Sequence, residues 1–273
     1  MDKFPPAFPA WGAGLLGAWL VIGAAVYICL ARLVARGGGK VSTLEFGQPD
    51  LLVCLAFMLW FVMDIVTSFG GPEHVVTQKE IIHGAILFVT IVAGLGIFMQ
   101  YRGINPLRQF GIFRRNAFLC AALAVGLLLA AGPLVVLTEN LTAFAQNGKV
   151  QPQNIVEFFI SASESSNKKA VWVMMVLAVV VAPAAEETIF RGYIYGVLKR
   201  YAGTLVAGLT SASLFAAMHL NMSSLPALFV LALCFTLAYE ATGSLLVNIF
   251  MHALFNLTML LTMLELVHRH SHP

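Results

Sequence analysis

The sequence predicts an all-α, polytopic transmembrane helix bundle of about eight spans, forming a single integral membrane domain over residues 1–273. Composition, apolar run length and the absence of any strand pattern predict it. The chain is 59% hydrophobic and only 11% charged, against about 25% charged in soluble domains. Mean hydropathy is +0.86. So few charges cannot cover a water-facing surface, so the default solvent is lipid. Backbone polar groups in lipid must be satisfied within their own segment, which leaves helices or closed barrels. No alternating ten-residue pattern suggests a barrel.

A spanning helix needs about 20 mainly apolar residues. The runs that qualify are 11–33, 51–70, 82–101, 116–137, 170–190, 204–220, 225–239 and 244–267. The first follows Lys3 and is longer than a typical signal-peptide core. It is read as a retained span. The seventh is short and holds Pro226 near its start. Residues 139–169 form the longest polar interruption, within which 154–163 could lie along the interface as an amphipathic helix. This segment divides an anchoring part, 1–169, from a second part, 170–267, that carries the chemistry.

Basic residues fall unevenly between the spans. One set of connections holds Arg32, Arg36, Lys40, Arg102, Arg108, Arg114, Arg115, Arg191, Lys199 and Arg200; the other holds Lys3, Lys79, Lys149, Lys168, Lys169 and Arg269. The richer set is expected on the cytoplasmic side, with both termini outside. The expected location is the inner membrane of a prokaryote. No basic run suggests nucleic-acid binding. Arg36-Gly37-Gly38-Gly39-Lys40 lacks phosphate-loop spacing, and Val41 stands where Ser or Thr is needed. The four cysteines, Cys29, Cys54, Cys120 and Cys234, sit in apolar runs at no metal-like spacing and are read as buried hydrophobes. Asp64 and His83, in the second and third spans, are expected to form an interhelical hydrogen-bonded pair. Glu240 and Glu265, near helix ends, are expected to reach water.

The informative residues are polar ones where lipid makes them costly. An ionisable group at mid-bilayer costs roughly 2.5–3.5 kcal/mol on insertion scales. Ala182-Pro183-Ala184-Ala185-Glu186-Glu187-Thr188-Ile189-Phe190-Arg191 holds two such carboxylates. Glu187 and Arg191 are i,i+4 neighbours and can pair. Glu186 is rotated about 100° away and presents another face, so one carboxylate can be held while the other is free for proton transfer. Phe215 and His219 share a face, as do His252 and Asn256. His219 lies 33 residues after Glu186, and His252 another 33 after that, so the groups come from separate helices. Gly192 and Gly196 form a small-xxx-small packing face. In the expected spans, Glu186 and His252 fall at one depth and His219 near the other end. That conflict disappears if the Glu186 helix continues past Arg191 toward Lys199, or if the sixth span is shifted.

Glu-Glu-x-x-x-Arg, Phe-x-x-x-His and His-x-x-x-Asn in this order on apolar helices, with Thr242-Gly243-Ser244 before the last, resemble the CAAX prenyl protease and bacteriocin-processing (CPBP, or Abi) family of intramembrane endopeptidases. The resemblance covers roughly 170–260. It implies an intramembrane catalytic cavity and a substrate that is a prenylated CAAX-like or other membrane-associated peptide. It further implies Glu186 as the general base on water and His219 as its partner. His252 and Asn256 would polarise the scissile carbonyl, with Glu187, Arg191 and Phe215 supporting them. No cofactor is favoured; if the reaction were metal-dependent, Glu186, His219 and His252 would be the zinc ligands. The His-Glu-x-x-His signature is absent. Two rival classes use the same residue types. A proton-coupled transporter predicts related broken halves, and no internal repeat is visible. A scaffold or immunity protein would act by binding, and intact Glu186, His219, His252 and Asn256 argue against it.

Overall fold

The computed structural model describes residues 10–68, 77–151, 153–165 and 167–271, and every regular element among them is helical. The elements are α1 (Ala10–Gly37), α2 (Gln48–Ser68), α3 (Gln78–Tyr101), a short α4 (Pro106–Gln109), α5 (Ala117–Ala145), α6 (Asn154–Glu164), α7 (Lys168–Val176), α8 (Ala182–Glu187), α9 (Gly196–Ala217), α10 (Leu225–Thr242) and α11 (Leu245–Ser271). Wide π-helical turns, Leu177–Val181 and Thr188–Tyr195, join α7 to α8 and α8 to α9 without a break.

Among the described residues seven helical runs are long and apolar enough to cross a bilayer. The longest, Lys168–Ala217, has 50 residues. At 1.5 Å per residue that is roughly 75 Å, more than twice the ~30 Å hydrocarbon core. It bends at Gly203, whose φ of 80° and ψ of 170° lie outside helical space. The expected fifth and sixth spans are therefore two limbs of one run. The first limb does not stop at residue 190 but continues through Arg191 to Lys199. This corrects the expected boundary and removes the depth conflict. Arg191 lies inside the bundle with no exposure, so it does not belong among the loop cations, and nine of that set remain.

The helices differ in how far the bundle encloses them. In α10, 61% of the apolar window is buried, against 11% in α1 and α2 and 6% in α3. α2 and α3 instead present apolar side chains such as Leu52, Met63 and Ile97 outward, as lipid-facing helices do. Helix interruptions are satisfied across the bundle. Pro133 inside α5 removes the N–H that would bond the Leu129 carbonyl, and Trp19 Nε1 of α1 donates to that oxygen at 2.8 Å. Tyr27 donates to the Leu127 carbonyl at 2.9 Å. Gly192 and Gly196 do form a packing face: an added Cβ would sit 3.1 Å from the Phe110 ring and 2.8 Å from the Phe46 ring.

Several expectations change. Glu240 is fully buried rather than solvated. It accepts from Tyr195, from Lys199 Nζ at 2.6 Å and from the Val41 N–H at 3.2 Å. Lys199 also donates to the carbonyls of Gly38 and Val41, so this carboxylate anchors the α1–α2 connection. Glu265 is exposed and pairs with Arg269. Asp64 and His83 are both exposed on the bundle exterior, and among the described residues no hydrogen bond or ion pair joins them. The buried acid of α2 is Asp50, which pairs with Arg102 of α3 at 2.6 Å. Cys54, Cys120 and Cys234 are buried, but Cys29 is on the lipid-facing exterior. The segment expected to lie along the interface folds as α6, which buries Phe159 against Met174 and Leu260.

Candidate active site

Glu187 lies at the end of α8 with no exposure. Its carboxylate accepts from Arg191 Nη1 at 3.0 Å, from His252 Nδ1 at 3.0 Å and from Asn248 Nδ2 at 3.3 Å. Three donors around one buried carboxylate are what a low-dielectric interior demands of a charge. Arg191 is equally buried; its guanidinium lies 4.3 Å from the Phe215 ring centre and 5.3 Å from that of Phe235, and it donates to the Ala232 carbonyl at 3.4 Å. The aromatic faces supply electrostatic attraction where water cannot.

Glu186, one residue earlier, points elsewhere. It makes no hydrogen bond among the described residues, and its side chain is 18% exposed. His252 Nε2 lies 3.8 Å from its carboxylate. His252 thus bridges the two carboxylates: Nδ1 donates to Glu187 and Nε2 faces Glu186. His219 follows the C-terminal end of α9, beyond the apolar span. Its Nδ1 donates to the Phe215 carbonyl at 2.8 Å, which leaves Nε2 for a ligand. Desolvation holds this imidazole below the usual histidine range, against the opposing pull of the Glu186 carboxylate, so it is neutral at pH 7.

Asn256 has a backbone role as well as a place in the site. In the π-turn ahead of α8, the Ala182 N–H bonds the Leu177 carbonyl five residues back. In that register Pro183 would serve the Ala178 carbonyl, but it has no N–H. Asn256 Nδ2 donates to that oxygen at 2.8 Å. Ser211 does the same for the second π-turn, donating to the Phe190 carbonyl at 2.9 Å. Both wide turns flank the glutamate pair, a location where such turns recur in functional sites.

The four groups meet. Glu186, His219, His252 and Asn256 all line one cavity of about 230 Å³, with Phe215 in its wall. Its remaining lining is mainly apolar, including Met174, Leu228, Met259 and Met263, with Gln153 and Val156 contributed from around the start of α6. Glu187 and Arg191 stand behind this wall. Among the described residues no group of three or more His, Cys, Asp or Glu side chains stands close enough together to hold a metal ion.

Two participants escaped the sequence reading. Asn248 is fully buried and binds both Glu187 and the Phe235 carbonyl, the latter at 2.8 Å. Phe235 packs on the His252 ring at 5.4 Å. Asn248 had a legible signal, since Asn248, His252 and Asn256 recur every four residues on one face of α11. Phe235 had none.

Residues 168–258 match the family model described as "Type II CAAX prenyl endopeptidase Rce1-like". A protein of Bacillus subtilis (strain 168) named "Putative membrane peptidase YdiL" is 31% identical over 97 residues, 36% of this chain and 40% of that relative. The chain thus spans less than half the length of the relative it matches. No solved structure matches the chain significantly. The segment 168–258 that is similar to the Rce1-like family model holds Glu186, His219, His252 and Asn256 of the cavity and the Glu187–Arg191 pair behind it.

Proposed function

We propose that this chain is an intramembrane endopeptidase that hydrolyses a peptide bond near the C-terminus of a membrane-associated peptide, prenylated CAAX-like peptides being the first class to test. One observation carries the reading: Glu186 is free of hydrogen bonds beside a cavity that His219, His252 and Asn256 also line, while its neighbour Glu187 is fully engaged. Peptide hydrolysis needs an activated water and donors aimed at the developing oxyanion.

In this mechanism a water lies between Glu186 and Nε2 of His219. Glu186 takes its proton as the oxygen attacks the scissile carbonyl carbon. The carbonyl oxygen becomes an oxyanion, which accepts from an N–H at Nε2 of His252 and from the second Nδ2–H of Asn256. Glu187, bonded at Nδ1, orients that ring. The proton held by Glu186 passes to the departing amine, the C–N bond breaks, and a carboxylic acid and an amine result. No step requires a metal, and the proposed chemistry is metal-free.

The test is cleavage of a quenched fluorescent prenylated peptide by purified wild type and Glu186→Gln, with and without 1,10-phenanthroline. General-base loss lowers turnover by roughly 10²–10⁴-fold in the variant, and chelator leaves wild type unchanged. Loss of wild-type cleavage with chelator and recovery with zinc would overturn the metal-free mechanism. Equal cleavage by wild type and variant would remove Glu186 from the chemistry.

A further inference from the structure

A second cavity, of about 470 Å³, lies at the end of the bundle remote from His219. It is walled by the α1–α2 connection, by α4 with the loop after it, and by the turn between α10 and α11. Three cations line it: Lys40, Arg108 and Arg114. No carboxylate lines it. None of the three makes an ion pair among the described residues; of the carboxylates at that end, Asp50 pairs with Arg102 and Glu240 with Lys199, and the exposed Glu45 of the α1–α2 connection does not line the cavity. All three side chains are exposed. Leu107 and Phe113, 51% and 79% exposed, stand at the same cavity and give it an apolar flank.

The walls are fixed in place. Gly111, at φ 64°, packs so closely on Gly243 that an added Cβ would overlap the Gly243 carbonyl. The Leu245 N–H bonds the Phe110 carbonyl at 3.0 Å. Gln109, nearly buried, donates to the Ser42 carbonyl at 2.7 Å. Arg114 uses one N–H on the Lys40 carbonyl at 3.0 Å and keeps the rest of its guanidinium for the cavity. A preorganised, uncompensated trio of cations in a concave site selects an anion with several acceptor oxygens.

We infer that this cavity is a binding site for a phosphate group, supplied by the headgroup of an anionic phospholipid whose acyl chains lie along Leu107 and Phe113. The inference is independent of the proposed peptidase activity, since it uses none of the cavity residues around Glu186. Basic pockets at membrane-proximal helix ends recognise headgroups in this way.

The test uses the full chain in detergent, titrated with dioctanoyl phosphatidylglycerol, dioctanoyl phosphatidylcholine or inorganic phosphate, reading apparent Kd by calorimetry. Wild type is compared with Lys40→Gln/Arg108→Gln, whose altered side chains are exposed and make no hydrogen bond among the described residues, and with Arg200→Gln, an exposed cation outside the cavity. Each lost cation weakens headgroup binding roughly fivefold, so the double variant binds phosphatidylglycerol roughly 25-fold more weakly while Arg200→Gln and the unliganded melting temperature are unchanged. Binding of inorganic phosphate as tight as that of the lipid, lost in the same variant, would confirm the phosphate site and overturn the lipid as its source. Equal binding of phosphatidylcholine, equal loss in Arg200→Gln, or no binding by wild type would overturn the inference.

Discussion

Glu187 and Arg191 form a fully desolvated ion pair, and such pairs are destabilising to break because the remaining charge has no water to turn to. Arg191→Ala leaves Glu187 with two of its three donors, and Arg191→Met leaves it the same while keeping bulk against Phe215. Both variants are expected to lose about 3–5 kcal/mol, read as a drop in the unfolding midpoint of the detergent-solubilised protein. Glu186→Gln is different: with no hydrogen bond to lose, it is expected to melt within about 0.5 kcal/mol of wild type while losing turnover. That separation of stability from activity distinguishes the free carboxylate from the held one. His219 supplies the pH dependence. Its pKa is lowered by desolvation in the folded protein, below the usual value of about 6.5. The unfolded chain therefore takes up a proton first as pH falls. Stability from this group is full above about pH 6.5 and falls as pH drops from there to the folded pKa. Activity needs the neutral ring and declines on the acid side as pH falls through that lower pKa. A His219→Gln variant should show a flatter melting-temperature profile between pH 5 and about 6.5; an unchanged slope would show that this ring does not set it.

At the scale of elements, the glutamate pair is placed by helix irregularity. Pro183 orphans the Ala178 carbonyl, and Asn256 on α11 satisfies it. This couples two helices at the depth of the site. Asn256→Leu leaves a buried carbonyl unpaired and should cost about 1–3 kcal/mol. Pro183→Ala restores an N–H within reach of that carbonyl, so the double variant should recover part of the loss. A thermal-melt double-mutant cycle checks this, and strict additivity would sink the account. Gly203 gives the other irregularity. Its φ of 80° with ψ of 170° is a region that side chains with a Cβ avoid at about 1–3 kcal/mol. Nothing crowds the position, so Gly203→Ala measures backbone strain alone. It is expected to lower stability by that amount and to disturb the pairing of the two limbs that bring His219 level with Glu186.

For the whole molecule, the two ends of the bundle differ in charge. One carries Lys40, Arg102, Arg108, Arg114, Arg115, Lys199 and Arg200, linked through contacts such as Arg114 to the Lys40 carbonyl and Lys199 to Gly38. The other is polar but less basic, with Gln146, Gln151, Asn221 and Ser223 joined by hydrogen bonds. The basic end should face the cytoplasm. In cells carrying a cysteine-depleted chain, a membrane-impermeant thiol reagent added outside should label Gln151→Cys and spare Ser42→Cys. The reverse pattern would invert the topology and place the mouth near His219 on the cytoplasmic side.

The solvent class and the helical architecture were legible in the chain itself, and so were the polar residues that the structure brings to one cavity. A lipid-facing protein has so few polar residues that Glu186, Glu187, Arg191, His219, His252 and Asn256 stand out against apolar helices, and their spacing assigns them to faces. Helix ends were less legible. Hydropathy measures transfer from water and does not register a buried Arg191 inside a longer helix, so it splits into two spans, 170–190 and 204–220, what is one helical run bent at Gly203. Glu240 looked like a solvated helix end because its partners, Lys199, Tyr195 and the Val41 N–H, are 41 to 199 residues away in sequence. Asn256's backbone role depends on a π-turn that no periodicity announces. Sequence by itself determined which groups must avoid lipid, since that cost belongs to each residue alone. Only the tertiary structure decided which of two adjacent glutamates is held and which is free, because that depends on α11 bringing Asn248 and His252 to the carboxylate that Arg191 already pairs with.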